Sequence, residues 1–163
     1  MRKIAAMLIA CAPVCASEFP SDADTCGEVV IASPALLEAQ EVETAKRELR
    51  PVDTTALERA RIQVLTVSYV PKHEFSCSGI TPKRIVLTGP TGKMLESVRP
   101  VKVFPVTLQN ALGAAVVFHN AEAEFDLARA LDLSGGQKLQ VGVVTDGHTW
   151  TYNFGGKKLK KLQ

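Results

Sequence analysis

Three histidines and one cysteine are the side chains of this sequence whose chemistry best suits a metal ion. His73 and Cys77 lie four residues apart in a polar stretch, and His119 and His148 follow later in the chain. Imidazole and thiolate are ligands that copper and zinc accept. One interpretation is therefore a metal site of His73, His119 and His148, with Cys77 as a further ligand or a nucleophile. The other is that the histidines are ordinary surface residues.

The cysteines offer a second kind of chemistry. The chain has four, of which Cys11 and Cys15 lie in the first sixteen residues. If that segment is removed by export, only Cys26 and Cys77 remain, and two cysteines in an oxidising compartment favour one disulfide. A Cys26–Cys77 bond would tie the front of the chain to the domain that follows.

The first sixteen residues have the pattern of an export signal. Arg2 and Lys3 precede an apolar stretch at 4–12, and Val14-Cys15-Ala16 is a small-residue cleavage site, so we expect cleavage before Ser17. The apolar stretch is shorter than the roughly 20 residues that span a bilayer, and no later segment reaches that length. We therefore expect no transmembrane segment after removal of the signal, and a periplasmic or secreted location in a bacterium.

Two alternatives remain for this segment. It could be a buried N-terminal helix, although charges followed at once by an uncharged stretch are more typical of a signal. The other alternative follows from Leu8-Ile9-Ala10-Cys11, which resembles the bacterial lipobox. That resemblance implies a lipid anchor on Cys11.

Catalytic motifs are not evident. Gly89-Pro90-Thr91-Gly92-Lys93 has two residues where a phosphate-binding loop needs four, and Met94 follows in place of Ser or Thr, so a hairpin turn is the better interpretation. The sequence contains no GxSxG or HExxH pattern. We therefore expect no enzyme activity and no cofactor.

Composition and charge limit the partners. The 163 residues are 46% apolar and 22% charged, which is typical of one globular domain, and the net charge of +2 argues against nucleic acid as a partner. Acidic residues concentrate between positions 18 and 48, whereas lysines concentrate at the C-terminus. These candidate interaction residues are Lys157, Lys158, Lys160 and Lys161. They could contact an acidic protein, anionic lipid or cell-wall polymer, or could simply protect an exposed sheet edge.

The rest of the sequence predicts an N-terminal arm and a single domain. Residues 17–33 mix Pro, Ser, Asp and Gly and predict an irregular arm with room for one strand. Ser33 can cap a helix and Pro51 ends it, so a surface helix is expected at about 34–49. A β-sandwich at about 60–156 and a basic tail at 157–163 complete the domain, which spans 34–163.

Strand signals repeat through the sandwich region. Asp146-Gly147 between two alternating runs predicts a hairpin, and Pro105 predicts a peripheral or bulged strand. Residues 121–127 alternate Ala or Phe with acids and are interpreted as a strand, although Ala, Leu and Glu also favour helix. The expected strands are 62–70, 84–88, 93–98, 101–108, 114–119, 121–127, 138–145 and 149–154, with a further short strand starting at Gly155-Gly156.

This succession predicts two antiparallel sheets packed as a sandwich, which in outline resembles the immunoglobulin fold. Fold alone does not assign a function. The lack of catalytic spacing together with an export signal favours a non-catalytic binding or adaptor protein of the cell envelope. Its partner would be another envelope or secreted protein, bound through a sheet edge or loop end. The alternatives are a periplasmic metal-binding protein with His and Cys ligands, and an inhibitor or immunity protein.

Overall fold

Two antiparallel β-sheets form the body of the protein. The computed structural model describes residues 19–55, 58, 63–109 and 111–163, so the predicted signal and Cys11 lie outside the described residues. The strands are β1 (Ser21–Ala23), β2 (Gly27–Ala32), β3 (Val64–Pro71), β4 (Arg84–Thr88), β5 (Met94–Glu96), β6 (Lys102–Gln109), β7 (Ala115–Asp126), β8 (Lys138–Val144) and β9 (Thr149–Gly155). The helices are α1 (Pro34–Glu48), α2 (Leu127–Ser134) and α3 (Gly156–Leu159), with 3₁₀ segments at Phe75–Cys77 and Lys160–Leu162.

The strand order is β1-β2-β3-β7-β6 in one sheet and β5-β4-β8-β9 in the other. Alternate side chains of both sheets enter a common core, and the rings of Tyr69 and Tyr152 meet there with centroids 6.3 Å apart. Fully buried members include Ile31, Leu65, Val67, Ile85, Leu87, Val141, Val143 and Phe154. The prediction of a mainly β, two-sheet sandwich is confirmed. Its immunoglobulin-like outline stays a prediction.

The N-terminal arm is more regular than the sequence suggests. It supplies two strands, and β2 pairs with β3 from Gly27 to Ala32. Val29 and Ile31 are fully buried, so the arm is part of the core. The carboxylate of Asp24 accepts the N–H groups of Cys26 and Gly27, each at 2.8 Å. This turn folds β1 back onto β2, and the expectation of an irregular arm is corrected accordingly.

The predicted surface helix is confirmed as α1. Ser33 precedes it in extended conformation, and its hydroxyl accepts the N–H of Leu36 at 3.4 Å, as expected of an N-cap. Only Pro34 and Ala45 of the helix are buried, so most of its surface faces solvent. The helix ends at Leu49, whose φ of 53° is left-handed.

The two strands expected at 114–119 and 121–127 form one long strand, β7. The burial of Ala121, Ala123 and Phe125 confirms the alternation there. The carboxylate of Asp126 accepts the N–H of Arg129 at 2.8 Å and caps α2, so the backbone changes from strand to helix at Asp126. Pro105 lies in β6, an edge strand, as predicted.

The C-terminal segment differs from the prediction. The β8–β9 hairpin is present, but Gly156 begins α3 rather than a further strand. Helical spacing places Leu159 and Leu162 on the same side, and both are 2% exposed against the core. Burying these two leucines explains why a helix forms here.

Candidate interaction site

The two cysteines expected to pair lie at disulfide distance. Their Sγ atoms are 2.07 Å apart and their Cα atoms 5.2 Å apart. Cys26 precedes β2, and Cys77 closes the 3₁₀ segment Phe75–Cys77, where it is 1% exposed. The pair therefore joins the β1–β2 turn to the β3–β4 loop.

The three histidines each have a different neighbour. The His73 ring packs 5.1 Å from the Phe118 ring, and His148 meets Trp150 at 4.6 Å between centroids. His119 Nδ1 is 3.3 Å from the hydroxyl of Thr81. Within the described ranges, no group of three or more His, Cys, Asp or Glu side chains is placed to hold a metal ion. A metal site of His73, His119 and His148 stays a prediction.

The four lysines of the tail are not equivalent. The Lys158 ammonium donates a hydrogen bond to the carbonyl of Ser21, lies 3.6 Å from a carboxylate oxygen of Asp22 and 5.4 Å from the Phe154 ring centroid. It therefore joins the C-terminus to β1. Lys157, Lys160 and Lys161 are exposed.

A site that the sequence did not indicate lies at the edge strand β6. Phe104 is 48% exposed and Leu108 37% exposed. The register places Leu108 opposite Val116 and Val106 opposite Phe118, so these side chains share one sheet face. Because Ala121 and Phe125 of β7 point into the core from the other face, this apolar row lies outside the sandwich.

The β3–β4 loop covers one end of this row and forms a groove. His73 packs over Phe118, which is only 3% exposed although it lies on the outer face. Phe75 of the same loop is 75% exposed. The resulting apolar groove of about 200 Å³ is lined by His73, Phe75, Leu108, Gln109, Val116 and Phe118. Its lining contains a single titratable side chain, His73.

The edge itself is long. Among the described residues, the four sheet edges are β1 and β5 with three residues each, β9 with seven, and β6 with eight. The N–H of Asn153 in β9 donates to the Asp22 carboxylate at 2.6 Å, so β1 covers part of that edge. A sheet edge presents backbone donors and acceptors that another strand can pair with. β6 combines such an edge with exposed apolar side chains.

The strongly perturbed tyrosines lie in the core, away from this groove. Burial raises the pKa of Tyr69 to about 12, and the nearby Asp24 carboxylate adds to the effect. Burial also raises the pKa of Tyr152, again with Asp24 contributing. Both phenols are therefore neutral at physiological pH and serve packing.

Comparison of the chain with family models, curated protein sequences and solved structures gives no match. None of the helices in the described part of the chain has the length and hydropathy needed to cross a bilayer.

Proposed function

We propose that this chain is an exported, non-catalytic binding or adaptor protein that engages another envelope or secreted protein through edge strand β6. One observation carries the proposal: the eight-residue edge strand exposes Phe104 and Leu108 beside an apolar groove. Exposed apolar side chains that adjoin one another on a protein surface commonly mark a protein-binding site.

Strand addition is the mode of binding that fits this surface. An extended segment of the partner pairs its backbone with β6, while one of its apolar side chains enters the groove between Phe75 and Phe118. Sheet edges that must stay unpaired are usually short, charged or covered. β6 begins with Lys102 and contains Pro105. The other side chains on its outer face, Phe104, Val106 and Leu108, are apolar.

An export signal and an oxidising compartment are part of the proposal. The segment at 1–16 supports the signal by its charge and apolar pattern. The Cys26–Cys77 pair at disulfide distance supports a periplasmic or extracellular location, where disulfides persist. A binding protein is favoured over an enzyme because the groove is lined by apolar side chains with one titratable group.

Affinity capture from the native envelope with three versions of the chain tests this function. The variant Phe104→Glu with Leu108→Glu places two charges on the outer face of β6. Met94→Glu is the matched control, because Met94 is 61% exposed on β5 of the other sheet. We expect a stoichiometric protein to be recovered with the wild type and the control and lost with the β6 variant. Recovery of the same proteins with all three, or of none, would contradict the proposal.

A further inference from the structure

A second cleft, separate from the β6 groove, opens at one end of the sandwich. It lies between residues 78–83 of the β3–β4 loop and the β8–β9 turn, and has a volume of about 390 Å³. Its walls carry an indole, an imidazole, hydroxyls and one pair of opposite charges. The lining residues are Ser78, Gly79, Ile80, Thr81, Lys83, Thr145, Asp146, His148 and Trp150.

Two aromatic rings form one corner of the cleft. Trp150 and His148 have centroids 4.6 Å apart and planes inclined at 70°. Trp150 is half-buried and packs in part against the core, in line with Tyr152 and Phe154 of the same strand. The indole therefore packs in part against the core while part of its surface lines a polar cleft.

The charges in the cleft balance each other. Lys83 Nζ lies 3.5 Å from Asp146 Oδ2, and their side chains are 54% and 87% exposed. A compensated pair does not select a charged ligand, but its ammonium and carboxylate can donate to and accept from neutral hydroxyl groups. The Thr145 hydroxyl donates to the carbonyl of His148 and retains lone pairs that accept hydrogen bonds.

The walls of the cleft are fixed by the backbone. The N–H of Lys83 donates to the carbonyl of Val144 at 2.7 Å, and the N–H of Thr145 donates to the carbonyl of His148 at 2.9 Å. Gly147 takes a φ of 86°, which the tight turn requires. On the opposite side of the cleft, the Cys26–Cys77 pair holds the β3–β4 loop against the β1–β2 turn. A site fixed before binding loses little conformational entropy when a ligand enters.

We propose that this cleft binds an uncharged sugar, with the apolar face of a pyranose ring stacked on Trp150 and its hydroxyls bonded to Asp146 and Lys83. A pyranose has a flat apolar face, which matches the indole of Trp150, and a rim of hydroxyls, which matches the polar side chains of the cleft. Aromatic side chains with a few placed polar groups are the general pattern of small-molecule sites. This inference does not depend on the β6 groove, because it uses different residues.

Tryptophan fluorescence gives a direct test, because Trp150 is the only tryptophan in the 163 residues. The full chain is titrated to millimolar concentration with neutral oligosaccharides of glucose, N-acetylglucosamine, mannose and galactose, each separately. We expect one of these sugars to change the emission of Trp150 in a saturable way. The absence of a saturable change with all four would overturn the proposal.

Variants then locate the binding by calorimetry. Trp150→Leu keeps an apolar side chain against the core, and Asp146→Asn keeps a residue suited to the turn. Each variant should bind the sugar more weakly, by about fivefold for Trp150→Leu, which corresponds to the about 1 kcal/mol that an aromatic contact contributes. Asp132→Asn, an exposed carboxylate elsewhere, is the control and should bind as the wild type does. Undiminished binding by Trp150→Leu and Asp146→Asn would overturn the assignment to this cleft.

Discussion

Gly27 lies directly against the ring of Tyr69: a Cβ atom built at position 27 would be 2.3 Å from Cε2 of that ring. Tyr69 is fully buried and donates its hydroxyl to the carbonyl of Cys26 at 3.4 Å. The start of β2, the cysteine pair and the core are thus in contact through one aromatic side chain.

Gly27→Ala should therefore destabilise the protein. The buried ring cannot move without disturbing the core, and overpacking of this kind costs about 1–3 kcal/mol. The matched control is Gly155→Ala, because a Cβ there meets nothing within 4 Å and its φ of −82° suits alanine. Urea denaturation should show a lower unfolding free energy for Gly27→Ala alone. Equal stability of the two variants would show that Tyr69 does not constrain this position.

Alkaline titration tests the buried tyrosines. The chain contains only two tyrosines, Tyr69 and Tyr152, so tyrosinate absorbance reports on this pair alone. The fold raises the pKa of Tyr69 from 10.0 to about 12 and raises that of Tyr152 further. Because both pKa values are raised, the contribution of the two phenols to stability is complete below pH 10. The contribution of Tyr69 is lost as the pH rises through 12, and that of Tyr152 is lost at still higher pH. Tyrosinate should thus form in the folded protein only well above pH 10, near pH 12 for Tyr69. Ionisation near pH 10 in protein that circular dichroism shows to be folded would contradict this.

The cysteine pair should form a disulfide in the exported protein. Peptide mapping without reductant should find Cys26 linked to Cys77. The separation of 51 residues predicts a stabilisation of about 4 kcal/mol from chain entropy, reduced by any strain. Cys26→Ser with Cys77→Ser should lower the melting temperature to that of the reduced wild type while retaining the sheets. Two free thiols in freshly isolated protein would contradict the bond.

The tail lysines should differ in their effect on stability. Lys158→Gln removes the ammonium that bonds Ser21 and faces Asp22, and should cost about 1 kcal/mol. Lys157→Gln changes an exposed neighbour and should alter the unfolding free energy by less than about 0.5 kcal/mol. Chemical denaturation of both variants decides this. The same small effect for each would mean that the Lys158 contacts do not hold β1.

The hairpin of β8 and β9 could be predicted from the sequence because its signals are local. Alternating apolar residues flank Asp146-Gly147, and each strand has one buried face. The strand β1 could not be predicted in this way. Ser21–Ala23 has no apolar alternation, and its place depends on the Asp24 turn and on Lys158 from the other end of the chain.

The β6 groove was also beyond the sequence alone. Pro105 predicts a peripheral or bulged strand, and β6 lies at the edge of its sheet. However, the groove needs Phe75 from a loop and Phe118 from β7, and these residues meet only through the long-range pairing of strands. The alternation of Phe104, Val106 and Leu108 was the available signal, but apolar residues on both faces of β6 obscured it.

Hydrogen–deuterium exchange of the chain bound to its captured partner tests the central claim most directly. Strand addition at β6 predicts that amide exchange slows within residues 103–109 when the partner binds, at the alternate residues whose N–H groups face away from β7 and become paired. The amides of the β8–β9 turn, at the separate Trp150 cleft, should exchange at an unchanged rate. Slowed exchange confined to that turn or to the lysine tail, with β6 unaltered, would contradict the account.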